Sequence, residues 1–472
     1  MSATVAIVAA TFVVIAATFI PTYIINNRNK KTTESDWAIA DRSLPIYVIV
    51  GTQFASAMGG GVLVAHVGNA YNNGIGHFLY GVLAALPFVC IIYLAKWLRH
   101  NNYTTIPEIL RTFTNNNKVV TVFAAVMTIV VPFGWVTSQI TAFGNIYSNL
   151  TGIDYNVLCL IFAVVALLFV MPSGLKTVAW TDFIFACFMC VMCLICIFKV
   201  TDMAGGVGSI VSTLNAADPD LLSFSGSLSN KIGISAATLW IFAVLPGGVT
   251  NQIYFQRVCA IDDEKKVNKS LLLSAFASAL SFVWAVYMGL AIHSINPNVG
   301  SGATAWFMGQ LPTVLMALFA ALVFATMMST TSSGVQTSVM NITRDIVPIV
   351  APDMDENKML RLSRILSVIL MVVAILMCLV FTDTLTWLTA TYAFSAATLA
   401  CPIFVSYAFR NKKFITTAGV VAGMVAGLIG CIVGMVLKAT ISYAAIGVGF
   451  SLVAMLVVCA LTKGKGAVEL SK

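Results

Sequence analysis

The chain has 472 residues, 59% of them hydrophobic and 9% charged, with a mean hydropathy of +0.94. That balance excludes a water-soluble domain and points to a multi-pass membrane protein. The net charge of +8 is then an orientation signal facing anionic lipid, and nucleic acid is not an expected partner.

Thirteen apolar stretches reach the roughly 20 residues that a helix needs to cross a bilayer. In chain order they fall at about 4–26, 44–70, 75–98, 119–147, 154–172, 175–200, 233–255, 268–293, 311–342, 362–382, 384–409, 414–437 and 441–462. The first has no charge from Met1 to Val5 and is followed by Arg28, Lys30 and Lys31, so it reads as an uncleaved helix with its N-terminus outside. Strict alternation from there leaves only Lys199, Lys231 and Lys438 of the 26 Lys and Arg residues on the external side. The positive-inside rule demands this asymmetry, and a missed span would scramble it. The expected protein is an all-α, multi-pass protein of the plasma (inner) membrane with thirteen transmembrane helices and a cytoplasmic C-terminus.

The second span contains Gly59-Gly60-Gly61, a poor choice for an uninterrupted helix, since each Gly costs up to about 1 kcal/mol relative to Ala. Unwound backbone at that depth is tolerated where it lines a cavity, and its carbonyls can then coordinate a cation; close packing of small residues is the alternative. In the sixth span, Asp182 is the one acidic residue deep inside an apolar stretch, where charge is expensive and is kept for a partner. Cys187, Cys190, Cys193 and Cys196 follow at three-residue steps, but on a continuous helix each step turns the thiol by about 60°, so the four cannot converge on one metal. The seventh span repeats the interruption with Pro246-Gly247-Gly248. Two interrupted helices separated by five spans suggest inverted repeats around a midplane site. Residues 44–200 and 233–410 would be the five-helix repeats of a single transporter domain, with 1–43 and 411–472 peripheral.

The ninth span concentrates hydroxyls at Thr326, Ser329, Thr330, Ser332, Ser333, Thr337 and Ser338. Ser329, Ser332 and Ser333 share one face, and hard cations such as sodium take oxygen ligands. Back-bonding to the preceding turn is the alternative for any one hydroxyl.

With Ala55-Ser56-Ala57-Met58-Gly59, Val178-Ala179-Trp180-Thr181-Asp182, Asn251 to Arg257, and Ser329-Thr330 in this order, the chain resembles the sodium:solute symporters over nearly its whole length. That resemblance implies a LeuT-type 5+5 inverted repeat with discontinuous helices in spans 2 and 7. It implies a main sodium site made by the carbonyls of Ala55, Met58 and Thr326 and the hydroxyls of Ser329 and Thr330. A second sodium is implied at Asp182, Ser332 and Ser333, where a hydrogen-bond hub or a proton acceptor remains the alternative. Tyr254 resembles an inner gate, and Arg257 is expected to anchor its helix end at the cytoplasmic surface.

The solute is expected near Gly59–Val62, Asn73–His77, Phe133–Gln139, Thr250–Asn251 and Trp387–Ser395. Candidate contacts are Gly59, Gly60, Val62, His77, Trp135, Gln139, Asn251 and Trp387, with His66 also considered. The nearest motif resemblance is to the choline-transporter branch, but Ala57 and Asn251 stand where that branch has its tryptophan cage. No charge lies between Phe133 and Gln139, so the favoured solute is small and neutral or zwitterionic, an amino acid or related metabolite. Asp182 has no second acid or histidine beside it in sequence, so an enzyme is not expected. A proton-coupled carrier and a transporter-like solute sensor are the rival readings.

Overall fold

A computed structural model describes residues 3–28, 38–170, 174–380, 383–438 and 440–463. Lys30, Lys31, Lys465 and Lys472, part of the expected positive clusters, lie outside the described residues. Ten helical stretches among the described residues are long and apolar enough to cross a membrane, and shorter apolar helices include Ile46–Ala57 and Tyr155–Phe169.

Helix α1 is Ala3–Arg28, α2 is Ile46–Ala57, α3 is 61–73 and α4 is Phe78–His100. A short helix α5 (Ile106–Thr112) precedes α6 (Lys118–Thr151), α7 (Tyr155–Val170) and α8 (Leu175–Met203). The second half begins with α9 (Ile234–Val249), α10 (Gln252–Ala260) and α11 (Val267–Ile295). It continues with α12 (Thr313–Asn341), α13 (Glu356–Val380), α14 (Thr384–Ala408), α15 (Thr417–Val436) and α16 (Tyr443–Leu461).

Helix α12 is the axis of the molecule. Every residue from Phe319 to Asn341 is buried, which a helix tolerates only when neighbours surround it and satisfy its hydroxyls. It is packed by α1, α6 and α8. By contrast α13 shows Ile365, Ile369, Val372 and Leu376 outward along one stripe, the apolar face that lipid would cover. Glycines set the closest approaches: a Cβ on Gly334 of α12 would sit 2.8 Å from the Pro132 carbonyl of α6, and one on Gly423 of α15 2.9 Å from Met455 Cβ of α16. Such small-residue contacts let backbones meet where lipid offers no hydrophobic drive. Cys187 and Cys190 are exposed while Cys193 and Cys196 are buried, so the four thiols are spread around α8.

The chain breaks between α2 and α3. Gly60 N donates to the Gln139 Oε1 of α6 at 2.6 Å instead of to the Ser56 carbonyl four residues back. Val62 N turns to Gly59 O at 3.0 Å, leaving the Met58 carbonyl without its usual helical donor. A Cβ on Gly59 would lie 2.5 Å from Thr330 Oγ1 and 2.6 Å from Gln139 Oε1, and one on Gly60 2.6 Å from Met327 Cε. Both glycines are therefore favoured by proximity rather than by backbone conformation, Gly60 being right-handed helical. The second break falls at Thr250 and Asn251, after Pro246; Asn251 has extended backbone and its side chain accepts from Ile253 N at 3.0 Å to start α10. Leu44, just ahead of α2, pairs with the far end of α10: Leu44 N donates to Ala260 O at 3.1 Å and Asp262 N to Leu44 O at 3.0 Å. The two interrupted segments are thus tied together at one end of the bundle.

Candidate cation and solute sites

The end of α2 meets the hydroxyl-rich middle of α12. Thr330 Oγ1 donates to Ser56 O at 3.1 Å and to Thr326 O at 3.0 Å, so one hydroxyl joins the interrupted helix to the central one. Ala55, Met58, Thr326, Ser329 and Thr330 are all buried. The structure therefore brings the five residues named for the main cation site into one region whose available donors are carbonyls and hydroxyls. A hard monovalent cation is the group such a set would hold.

Asp182 stands one step away, and its surroundings correct the sequence reading of Arg257. Instead of reaching a surface, Arg257 is fully buried and its Nη2 lies 3.6 Å from Asp182 Oδ2. The same guanidinium donates to Thr52 Oγ1 at 3.0 Å, Ser56 Oγ at 2.9 Å, Ser333 Oγ at 2.8 Å and Ile253 O at 3.1 Å. Thr52 in turn donates to Asp182 at 2.6 Å, and Ser329 donates to the other carboxylate oxygen. The physical reason is that α10 turns inward after the break, and a buried guanidinium persists only when a carboxylate and several acceptors meet it. Ser332 bonds back to Ser329 O at 2.9 Å, and Ser333 is engaged by Arg257. The carboxylate and serines named for a second sodium are thus close together, with an arginine among them.

Beside the break is a small cavity of about 40 Å³. Of the predicted solute contacts, Gly59, Val62, Trp135 and Gln139 line it, and so does Tyr254. Gly60, His77, Asn251 and Trp387 do not: Gly60 is turned to Gln139, Asn251 caps α10, and the Trp387 indole donates to Thr137. His77 is set behind His66, which does face the cavity. Sequence reasoning left out Tyr80, Ser278 and Phe282, which also line it, while Tyr392 lies within the expected stretch 387–395 and lines it too. Lone aromatic and serine residues in apolar spans carry no signal of their own; only folding brings α4, α11 and α14 to the α2–α3 break.

Tyr254 is one of the residues lining the cavity. Its ring packs 4.2 Å from Phe88 and 5.8 Å from Trp135, centroid to centroid, and Trp135 Nε1 donates to Tyr392 Oη at 2.9 Å. Elsewhere along α3 lies a larger recess of about 630 Å³ lined by Asn69, Asn72, Asn145 and Asn149 among others. The arrangement has the oxygen groups to hold a cation at the break and an aromatic-walled space beside it.

A family model described as the sodium:solute symporter family matches residues 37–427. A sodium/glucose cotransporter of Vibrio parahaemolyticus is 22% identical over 391 residues, covering 74% of this chain and 70% of the relative. A sodium/pantothenate symporter of Escherichia coli (strain K12) is 23% identical over 373 residues, covering 76% of each. Among solved structures, the substrate-bound outward-open state of a Na+-coupled sialic acid symporter superposes with a TM-score of 0.85 at 18% identity, covering 99% of both chains. The chain belongs to the sodium:solute symporter family.

Proposed function

We propose that this member of the family is a sodium-coupled symporter that imports a small neutral or zwitterionic organic solute, an amino acid or related metabolite, by alternating access. The observation that carries the reading is the Thr330 hydroxyl bridging the broken end of α2 to α12, at the point where freed carbonyls and hydroxyls gather. Sodium is common to the three similar transporters, whereas the solute differs in each: glucose, pantothenate and sialic acid. Thirteen spans with the N-terminus outside and the C-terminus inside fit the charge asymmetry, and the two breaks fit a 5+5 inverted repeat discontinuous in spans 2 and 7.

One sodium is held by Ala55, Met58, Thr326, Ser329 and Thr330. It clamps α2 to α12 and favours the state open toward the asparagine-lined recess, because its ligands lie on both elements and part when the bundle rocks. Solute entering beside Gly59, Val62, Trp135 and Gln139 closes that path, and withdrawal of Tyr254 from Phe88 opens the other. A second sodium at Asp182, Ser332 and Ser333 competes with Arg257, so one sodium is the stoichiometry for the conformation described. Each positive charge that crosses gains about 2.3 kcal/mol per 100 mV.

The test is the melting temperature of purified protein in sodium chloride against potassium chloride at equal ionic strength. Sodium at 100 times its dissociation constant is expected to add about 2.7 kcal/mol, and Ser329→Ala/Thr330→Ala to abolish the difference. Equal melting in both salts at every concentration would overturn sodium coupling and favour a proton-coupled carrier or a sensor.

A further inference from the structure

Two histidines beside the solute cavity are arranged in a way that sodium binding does not use. His66 Nδ1 and His77 Nε2 are 2.9 Å apart, and both rings are buried. They are enclosed by Tyr80, Trp240 and Phe282, with His66 4.5 Å from Tyr80 and 4.8 Å from Phe282, and His77 5.4 Å from Trp240. The other nitrogen of His77, Nδ1, has no hydrogen-bond partner among the described residues.

That orphan atom indicates the direction of the pair. Buried N–H groups without a partner are rarer than under-used acceptors, so the unpaired His77 Nδ1 is assigned as a lone pair and the proton as residing on His77 Nε2. His77 then donates to His66 Nδ1, and the only proton left on His66 is at Nε2. His66 itself lines the cavity. Side chains on a helix lean toward its N-terminus, which carries the His66 ring back toward Gly61, where α3 begins and where a Cβ would meet nothing within 4 Å.

Two more polar groups, the buried Tyr80 hydroxyl and Ser278 Oγ, line the same cavity without making a hydrogen bond in this conformation, although Thr389 is close enough to Tyr80 to interact with it. Buried polar groups left unmade are costly and call for an explanation such as a missing ligand. Among the described residues lining the cavity, none is Asp, Glu, Lys or Arg, so no side chain there offers a counter-charge to a carboxylate or to an ammonium group, and hydrogen-bonding groups alone distinguish the two.

Resting on the sodium-symport reading, we infer that His66, Tyr80 and Ser278 form the head-group subsite of the solute and that the head group is a carboxylate. A carboxylate only accepts, and its two oxygens offer enough lone pairs for all three donors. The Tyr80 and Ser278 hydroxyls can turn to donate or to accept, whereas His66 Nε2–H only donates; a carboxylate lets all three donate at once, while an amide or alcohol uses one hydroxyl as the acceptor for its own donor. The N-terminal end of α3 and the sodium beside Thr330 supply the positive potential that a carboxylate needs away from water. His77 touches no solute; it is a positioning residue that fixes which nitrogen of His66 carries the proton. The aromatic side of the cavity, Trp135, Tyr254 and Tyr392, receives the carbon skeleton.

The experiment compares acids with amides of the same skeleton: propionate with propionamide, lactate with lactamide, and L-proline with L-prolinamide. Each is titrated against the melting temperature of the purified full chain in saturating sodium chloride. For at least one skeleton the acid is expected to bind at least about tenfold more tightly than its amide, since a site built around hydrogen bonds rejects the analogue that mismatches them. His66→Leu and His77→Phe are expected to bring that ratio to within about twofold, while the shift produced by sodium alone stays unchanged. A merely structural role for His77 would lower melting without moving the ratio. Amides binding as well as acids, or no acid binding while sodium still stabilises the protein, would overturn the carboxylate subsite and leave sodium coupling intact. Acids discriminated equally in potassium would uphold the subsite and overturn the coupling.

Discussion

At the scale of single residues, the Asp182–Arg257 pair decides more than any other contact. Both side chains are buried, and removing one member of such a pair leaves a charge without its partner. Arg257→Ala and Asp182→Asn are each expected to destabilise the purified protein by about 3–5 kcal/mol. The double change Asp182→Asn/Arg257→Met is expected to cost less than the sum of its singles, because both charges are gone; thermal melts of the four proteins give the coupling. Sequence made Asp182 legible, since one acid deep in an apolar span stands out at once. Arg257 was not legible: it follows a run that ends near a span boundary, where an arginine is ordinarily a surface anchor. Only the inward turn of α10 delivers it to Thr52, Ser56 and Ser333. Tyr80 and Ser278 were hidden for the same reason, each being unremarkable until three helices converge.

At the scale of elements, the two breaks do different things. The α2–α3 break frees the Met58 carbonyl and holds two glycines against α6 and α12, so adding even a methyl must displace the side chains facing them. Gly60→Ala would put a Cβ 2.6 Å from Met327 Cε and 2.8 Å from Ala142 Cβ; it is expected to abolish solute uptake into proteoliposomes while the folded protein is still recovered. Met327 is flexible and yields, but the break it flanks no longer closes on the cation. The α9–α10 break sets Tyr254 on the cavity wall, its ring packed on Phe88. On the gate role proposed for that ring, Tyr254→Phe is expected to preserve uptake and Tyr254→Ala to allow sodium-independent leak, read as loss of accumulated label after the gradient is removed. The glycine and proline runs signalled both interruptions in sequence. The backbone tie from Leu44 to Ala260 and Asp262 gave no such signal, because backbone hydrogen bonds leave no mark on residue identity.

At the scale of the whole molecule, hydropathy and charge asymmetry made the membrane class readable, because lipid imposes length and sidedness on sequence more strictly than water does. The family followed from four short motifs in order. Solute identity did not follow, because the cavity is assembled from α2, α3, α4, α6, α10, α11, α12 and α14, each contributing a few ordinary side chains. At about 40 Å³ the cavity has room for a few waters, so solute binding requires the surrounding helices to part. Locking the tie at one end, with Leu44→Cys/Ile261→Cys oxidised to a disulfide, is expected to stop turnover without preventing sodium-dependent stabilisation, and reduction to restore it.

Sodium coupling at the α2–α12 junction is the central claim, and equilibrium binding of radioactive sodium to the purified protein tests it most directly. The expected result is saturable binding of one ion per chain, displaced by excess unlabelled sodium but not by potassium, lost in Ser329→Ala/Thr330→Ala and retained in His66→Leu. Binding that survives the Ser329/Thr330 change, or no saturable binding in folded wild-type protein, would contradict the account.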